Sequence, residues 1–186
     1  MSLNTLLYFL KMSHLFKSAL GEVAPLNLRF QDASNEQWKS FTRKLATQEI
    51  GEISESGRMG VFGLGARRLK DLGLMDDVKK VEFEGKLIYM GSFISPLSME
   101  RFLNSPRAQY NIFKRSMIDY HDSIKESGLN KLIGKEISLE PLTMSGLLGL
   151  ASQAGIKGAK SWLEKPKERE RFPHTTQTFL ETNGIF

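Results

Sequence analysis

Three glutamates, Glu49, Glu52 and Glu55, stand in front of a run crowded with glycine in the segment ATQEIGEISESGRMGVFGLGARRL, residues 46–69. Gly51, Gly57, Gly60, Gly63 and Gly65 fall within fifteen residues. A turn needs one or two glycines, so this density points to backbone that must be approached closely. The chemistry of such a segment is proton transfer. A carboxylic acid kept protonated near neutral pH can protonate the leaving oxygen of a glycosidic bond.

The elements around the segment decide which glutamate is placed for this. Ser34 and Gln37 form a capping-box pattern, and Trp38, Phe41 and Leu45 recur at helical spacing. The spacing predicts a helix from about Asn35 to Glu49. With about 100° per residue, Glu49 falls in the sector of Trp38, Phe41 and Leu45. There, desolvation and the negative end of the helix dipole would both raise its pKa. The competing reading leaves Glu49 solvated at a fraying helix end. Glu52 and Glu55 lie past Gly51, in the loop, as solvated carboxylates or as groups lining a cleft.

Downstream, ARRLKDLG (66–73) reads as a short helix stopped by Gly73. In KKVEFEGKLIYM, Val81 and Phe83 alternate with charges, Glu84-Gly85 supplies a turn, and Leu87 and Tyr89 resume the alternation. That is a β-hairpin, and it carries the one strand signal of the chain. SPLSMERFLN (95–104) predicts a helix with Pro96 in its first turn. A longer helix runs from Ser105 to Gly128 with Phe113, Met117, Tyr120 and Ile124 as its stripe. PLTMSGLLGLASQAG (141–155), apolar almost all round, belongs at the centre of a domain. IKGAKSWLEK and TTQTFLETNG complete a mainly α chain, with EKPKERERF (164–172) as a solvated linker. The expected organisation is an N-terminal amphipathic helix and connector over 1–33, carried by Leu3, Leu6, Leu7 and Leu10, then one domain over 34–186.

Composition narrows the classes. The 186 residues suffice for a domain with its own core, at 40% apolar and 25% charged. Without cysteine there is no disulfide, thiol or Cys-zinc chemistry. His14, His121 and His174 have no ligand spacing, so no metal or other cofactor is expected. The net charge of +5 suits an acidic polymer, nucleic acid or cell wall. No basic helix or aromatic-basic array supports nucleic acid as the partner. No apolar run reaches the length of a membrane span. Lys11 interrupts the apolar N-terminus, which argues against a secretory signal and for synthesis in the cytoplasm.

The order of these segments resembles the phage-associated muramidases and lytic transglycosylases of the lysozyme superfamily. Gln48-Glu49 aligns with the catalytic glutamate, and GVFGLG (60–65) with the loop that leads into a helix. FLNSPRAQ (102–109) is similar to the Phe-Leu-x-x-Pro-x-x-Gln helix start. LTMSGLLGLASQAGIKGAKSWL (142–163) is similar to the central helix, Gly-containing turn and next helix, and TTQTFLETNGIF to the closing helix. The colinear match covers residues 34–186. It implies a lysozyme-like α+β fold, a helical domain whose hairpin flanks a substrate groove, and cleavage of peptidoglycan glycan strands. Glu49 would be the general acid and base, with no cofactor.

Glu52, Glu55, Gly60, Phe62, Gly63 and Tyr110 would line the substrate, and Tyr89 and Tyr120 are further stacking surfaces. In a hydrolase Glu52, Glu55 or Glu82 would activate water. The resemblance also implies a phage or phage-like particle or its tail as the working location, with the N-terminal helix as the contact to particle proteins. This chain has Ile50-Gly51-Glu52 where the family has Ser-Gly-Gly after the glutamate, and Phe62-Gly63 where the family has Tyr-Gln. A second alignment uses Glu55-Ser56-Gly57 as the Glu-Ser-Gly motif. A catalytically inactive structural or glycan-binding component of the same particle is the alternative function.

Overall fold

A computed structural model describes residues 33–46, 48, 51–137 and 139–186. The expected N-terminal helix and Glu49 lie outside them. In chain order the elements are α1 (Asn35–Leu45), β1 (Arg58–Met59), β2 (Leu64–Gly65), α2 (Ala66–Asp71), β3 (Met75–Phe83), β4 (Lys86–Phe93), α3 (Met99–Leu103) and α4 (Pro106–Glu126). A 3-10 turn (Leu129–Leu132), β5 (Glu136–Ile137), β6 (Glu140–Pro141), α5 (Met144–Glu164), α6 (Pro166–Arg171) and α7 (Pro173–Thr182) follow. The chain is mainly helical, with three small antiparallel strand pairs, β1–β2, β3–β4 and β5–β6. Among the described residues no helix is long and apolar enough to cross a membrane.

The described residues fall into two compact units. Ala46–Arg115 make the first; the residues up to Leu45 join Ser116–Phe186 in the second. Helix α4 supplies residues to both.

In the second unit, the capping box forms as expected. The Ser34 N–H donates to the Gln37 side-chain oxygen at 2.8 Å, and the Gln37 N–H to Ser34 Oγ at 3.2 Å. Trp38, Phe41 and Leu45 are buried, with Phe41 edge-on to Phe186 at 5.3 Å. The helix ends at Leu45, however, and neither Ala46 nor Gln48 is helical. The helical phase is thus broken before position 49, and it does not fix where Glu49 faces.

Helix α5 carries the centre of this unit, with Leu147, Leu148, Leu150 and Ala151 fully buried. It breaks at Gly155 (φ 67°, ψ 175°), the end expected for the central helix. Thr143 caps α5 and donates its hydroxyl to Asn183 Oδ1 at 3.0 Å, tying the helix start to the residue after α7. Trp162 packs on Phe179 at 4.8 Å and donates its indole N–H to Thr176 Oγ1 at 3.0 Å. Segment 164–172 is not a linker: Pro166 opens the short helix α6, which buries no side chain.

The first unit holds the long hairpin. Glu84 and Gly85 have φ of 49° and 74°, as a two-residue turn requires, and pair Phe83 with Lys86. That register sets Val81 opposite Ile88 and Lys80 opposite Tyr89. Ile88 is therefore the buried residue, while Leu87, expected on the apolar face, is 70% exposed and shares a face with Glu82. Gly73 stops α2 as expected, at φ 68°. Helix α3 starts later than Pro96, because Ser98 is its cap and accepts from the Arg101 N–H.

Close approach of α5 and α7 depends on Gly149, where a Cβ would run into Thr182 Oγ1 and Cβ. Alanine favours a helix over glycine by about 1 kcal/mol. Even so, Gly149→Ala is expected to lower stability in urea unfolding by roughly 1–3 kcal/mol, the cost of overpacking a filled contact. A variant as stable as the parent would show that α5 and α7 are not packed this tightly.

Candidate functional site

The glycine-rich segment is not slack. It folds back on itself through a ladder of backbone hydrogen bonds. Gln48 N–H donates to Val61 O at 3.1 Å, Gly60 N–H to Glu52 O at 2.9 Å and Ser54 N–H to Arg58 O at 2.8 Å. Ile53 bridges Met59, and Arg58 and Met59 pair with Gly65 and Leu64. Ser54 to Gly57 close a tight turn, with the Gly57 N–H on Ser54 O at 2.8 Å and the Arg58 N–H on Ser54 Oγ at 3.1 Å. One pair of two-residue strands and a single bridge leave no alternating pattern, so the sequence alone shows only glycines here.

One buried amide fixes this loop from outside. Gln109, fully buried in the first turn of α4, accepts the Val61 N–H at 2.8 Å. Its NH2 group donates to Phe102 O at 3.0 Å and to Leu103 O at 2.9 Å. Phe102 O also accepts the Ser105 N–H, so loss of the amide would strand the Val61 N–H and Leu103 O, at about 1–3 kcal/mol each. Gly60 must be glycine for this latch: its φ is 67°, and a Cβ would lie 2.5 Å from the Gln109 amide oxygen. The signal in the sequence is a glutamine in line with Phe113 and Met117 on an otherwise apolar stripe. Beside the latch, Phe62 stacks on Phe113 with centroids 4.0 Å apart and planes at 13°, and Tyr110 sits 6.3 Å from Phe62.

These contacts place the expected substrate residues. Gly60, Phe62, Gly63 and Tyr110 are all buried in the first unit, and Tyr110 is only 5% exposed. They form the inner wall of the loop and present no ring to a sugar. Tyr120 is likewise buried in the second unit. Tyr89 is half-buried, with the Arg67 guanidinium 3.6 Å from its ring centroid, so a cation already occupies one approach to the ring.

On the outer side are Gly51, Glu52 and Glu55, all exposed. The turn lies against the hairpin, for a Cβ on Gly57 would touch Ile88 at 3.0 Å. Glu55 forms a hydrogen-bonded ion pair with Lys86 at the hairpin turn. The Lys86 hydrogen bond, followed by its charge, holds the Glu55 carboxyl below the usual carboxylate range. Glu55 is thus an ionised carboxylate at neutral pH and a stronger acid than an ordinary glutamate. Glu82 is exposed on β3, on the other face of the hairpin from Ile88. Among the described residues no group of three or more His, Asp or Glu is placed to hold a metal ion.

No family model, curated protein or solved structure matches this chain.

Because the Glu55 carboxyl is depressed in the folded state, the stabilisation from its pair is present above the ordinary carboxylate range and is lost as pH falls through the depressed pKa. In an NMR titration, Lys86→Met is expected to move the Glu55 midpoint up towards the ordinary glutamate range. An unchanged midpoint would show that Lys86 does not set the charge of Glu55.

Proposed function

We propose that this chain cleaves the glycan strands of peptidoglycan as a lysozyme-like muramidase or lytic transglycosylase, serving a phage or phage-like particle. The observation that carries the reading is the ordered loop. A glycine-rich segment is built into a hydrogen-bonded wall, it displays carboxylates on its outer side, and a hairpin flanks it. The colinear resemblance described above supplies the substrate class, and the basic net charge suits an acidic wall polymer.

In this reading Glu49, next to the Gln48 anchored on Val61, protonates the glycosidic oxygen. In a transglycosylase the same residue then takes the proton of the muramyl 6-hydroxyl, which closes a 1,6-anhydro ring without water. In a hydrolase a second, ionised carboxylate activates water. Glu55, held ionised by Lys86, has the charge state for that base. The same charge state disfavours Glu55 as the acid, which sets the Glu55-Ser56-Gly57 alignment second.

The N-terminal segment remains the proposed contact to particle proteins. The second functional reading is a glycan-binding component without catalysis. Burial of the residues expected to line the substrate favours it, because fewer groups are left to orient a sugar.

Release of soluble muropeptides from purified peptidoglycan separates these readings. Glu49→Gln is expected to reduce release by about 100-fold or more, the usual scale for loss of a general acid. Equal release by both proteins would remove Glu49 from the role, and release by neither, with glycan binding retained, would support the binding component. Glu55→Gln separates the subtypes: a large loss together with hydrolysed reducing ends points to a hydrolase, and undiminished release with 1,6-anhydro ends to a transglycosylase.

A further inference from the structure

A depression of about 450 Å3 opens on the first unit between α3 and the start of α4, away from the glutamates in sequence. Pro96, Leu97, Arg101, Asn104, Ser105 and Ala108 line it. Its volume falls within the range of small-molecule and peptide pockets. The walls from Pro96, Leu97 and Ala108 are apolar, and the polar groups are few.

Of these, Ser105 Oγ already accepts the Ala108 N–H at 3.2 Å, which leaves Arg101 and the exposed Asn104. Arg101 donates from Nη1 to Pro96 O at 2.8 Å, which orients the guanidinium on the pocket rim. Among the described residues no carboxylate pairs with it. The side-chain amide of Asn104 likewise has no hydrogen-bond partner among them. A guanidinium keeps several parallel N–H donors after making one bond, and their natural acceptor is a carboxylate. An ammonium or a neutral sugar would leave that charge unanswered. A bare inorganic anion would leave the apolar walls wet.

We infer that this depression binds the carboxyl end of a short peptide with small apolar side chains. Arg101 takes the carboxylate, Asn104 takes the adjacent peptide group, and the Pro96, Leu97 and Ala108 walls cover methyl groups. The inference rests on the proposed reading of the function in one respect. A peptidoglycan strand carries short, alanine-containing stem peptides that end in a free carboxylate, so the occupant is the stem of the same substrate. Glycan cleavage and stem capture would then lie on one unit of the chain.

The test uses the full chain, 15N-labelled, titrated with N-acetyl-D-alanyl-D-alanine and with the same peptide bearing a C-terminal amide. The expected result is saturable shifts of amides within 96–108 for the acid. Affinity should be lower by about tenfold or more for the amide, and by a similar factor for Arg101→Gln against the acid, as fits loss of a charged hydrogen bond. Arg101 is exposed, so an unchanged spectrum elsewhere will show that the variant keeps the fold.

Equal binding of acid and amide, shifts outside the pocket, or no binding would each overturn the inference. The outcome is independent of catalysis. Muropeptide release without peptide binding would sink the pocket alone, and peptide binding without release would sink the proposed cleavage and leave the pocket standing.

Discussion

The carboxamide of Gln109 is the interaction on which the first unit depends. It joins three backbone groups: the Val61 N–H of the glycine loop, the Leu103 carbonyl, and the Phe102 carbonyl, which also accepts the Ser105 N–H at the end of α3. A buried amide so fully used is worth keeping because any apolar replacement strands donors and acceptors away from water. It dictates glycine at position 60, where backbone and amide approach too closely for a side chain. It also orders the chain that follows, so that Phe62 stacks on Phe113 and seals the inner wall. The exposed carboxylates stand on the other side of that wall. Their surface is therefore defined by a core contact rather than by their own preferences.

Electrostatics then distinguish the carboxylates. Glu55 is fixed to Lys86 across the turn and the hairpin and stays ionised. Glu52 is exposed on the same loop and contributes its carbonyl to the ladder through Gly60. A solvent-exposed ion pair of this kind adds little to stability. Its consequence is a fixed anion beside the loop, with its basicity lowered by Lys86. The donor half of the proposed chemistry belongs to Glu49.

Much of the fold was legible in the sequence wherever a local device announced itself. The Ser34–Gln37 capping box, the Glu84-Gly85 turn, Gly73 and Gly128 as helix stops, and the apolar run of α5 broken at Gly155 are short-range signals with one physical meaning each. The end of α1 was not, because the apolar spacing of Trp38, Phe41 and Leu45 carries no stop, and tertiary contacts of Gln48 with Val61 take over. The two-residue strands were invisible because they have no room for alternation. Hairpin facing is not legible because Leu87 and Ile88 are both apolar, and only the Phe83–Lys86 register decides between them.

The site divides along the same line. Which residues carry charge and which are glycine could be seen, but burial could not. Phe62 and Tyr110 were aromatic residues near a glycine loop, equally suited to a sugar or a core, and Phe113 four residues after Gln109 claimed them for the core. Gln109 was visible as a helix-start residue, but its partners lie as far as 48 residues away. The measurement that tests the latch most directly is amide hydrogen exchange at Val61. If the glycine loop is an ordered wall, the Val61 amide exchanges as slowly as the amides of the buried helices, because its release requires the Gln109 contact to open. Exchange at the rate of an unprotected amide would contradict the account, and the loop would then be slack after all.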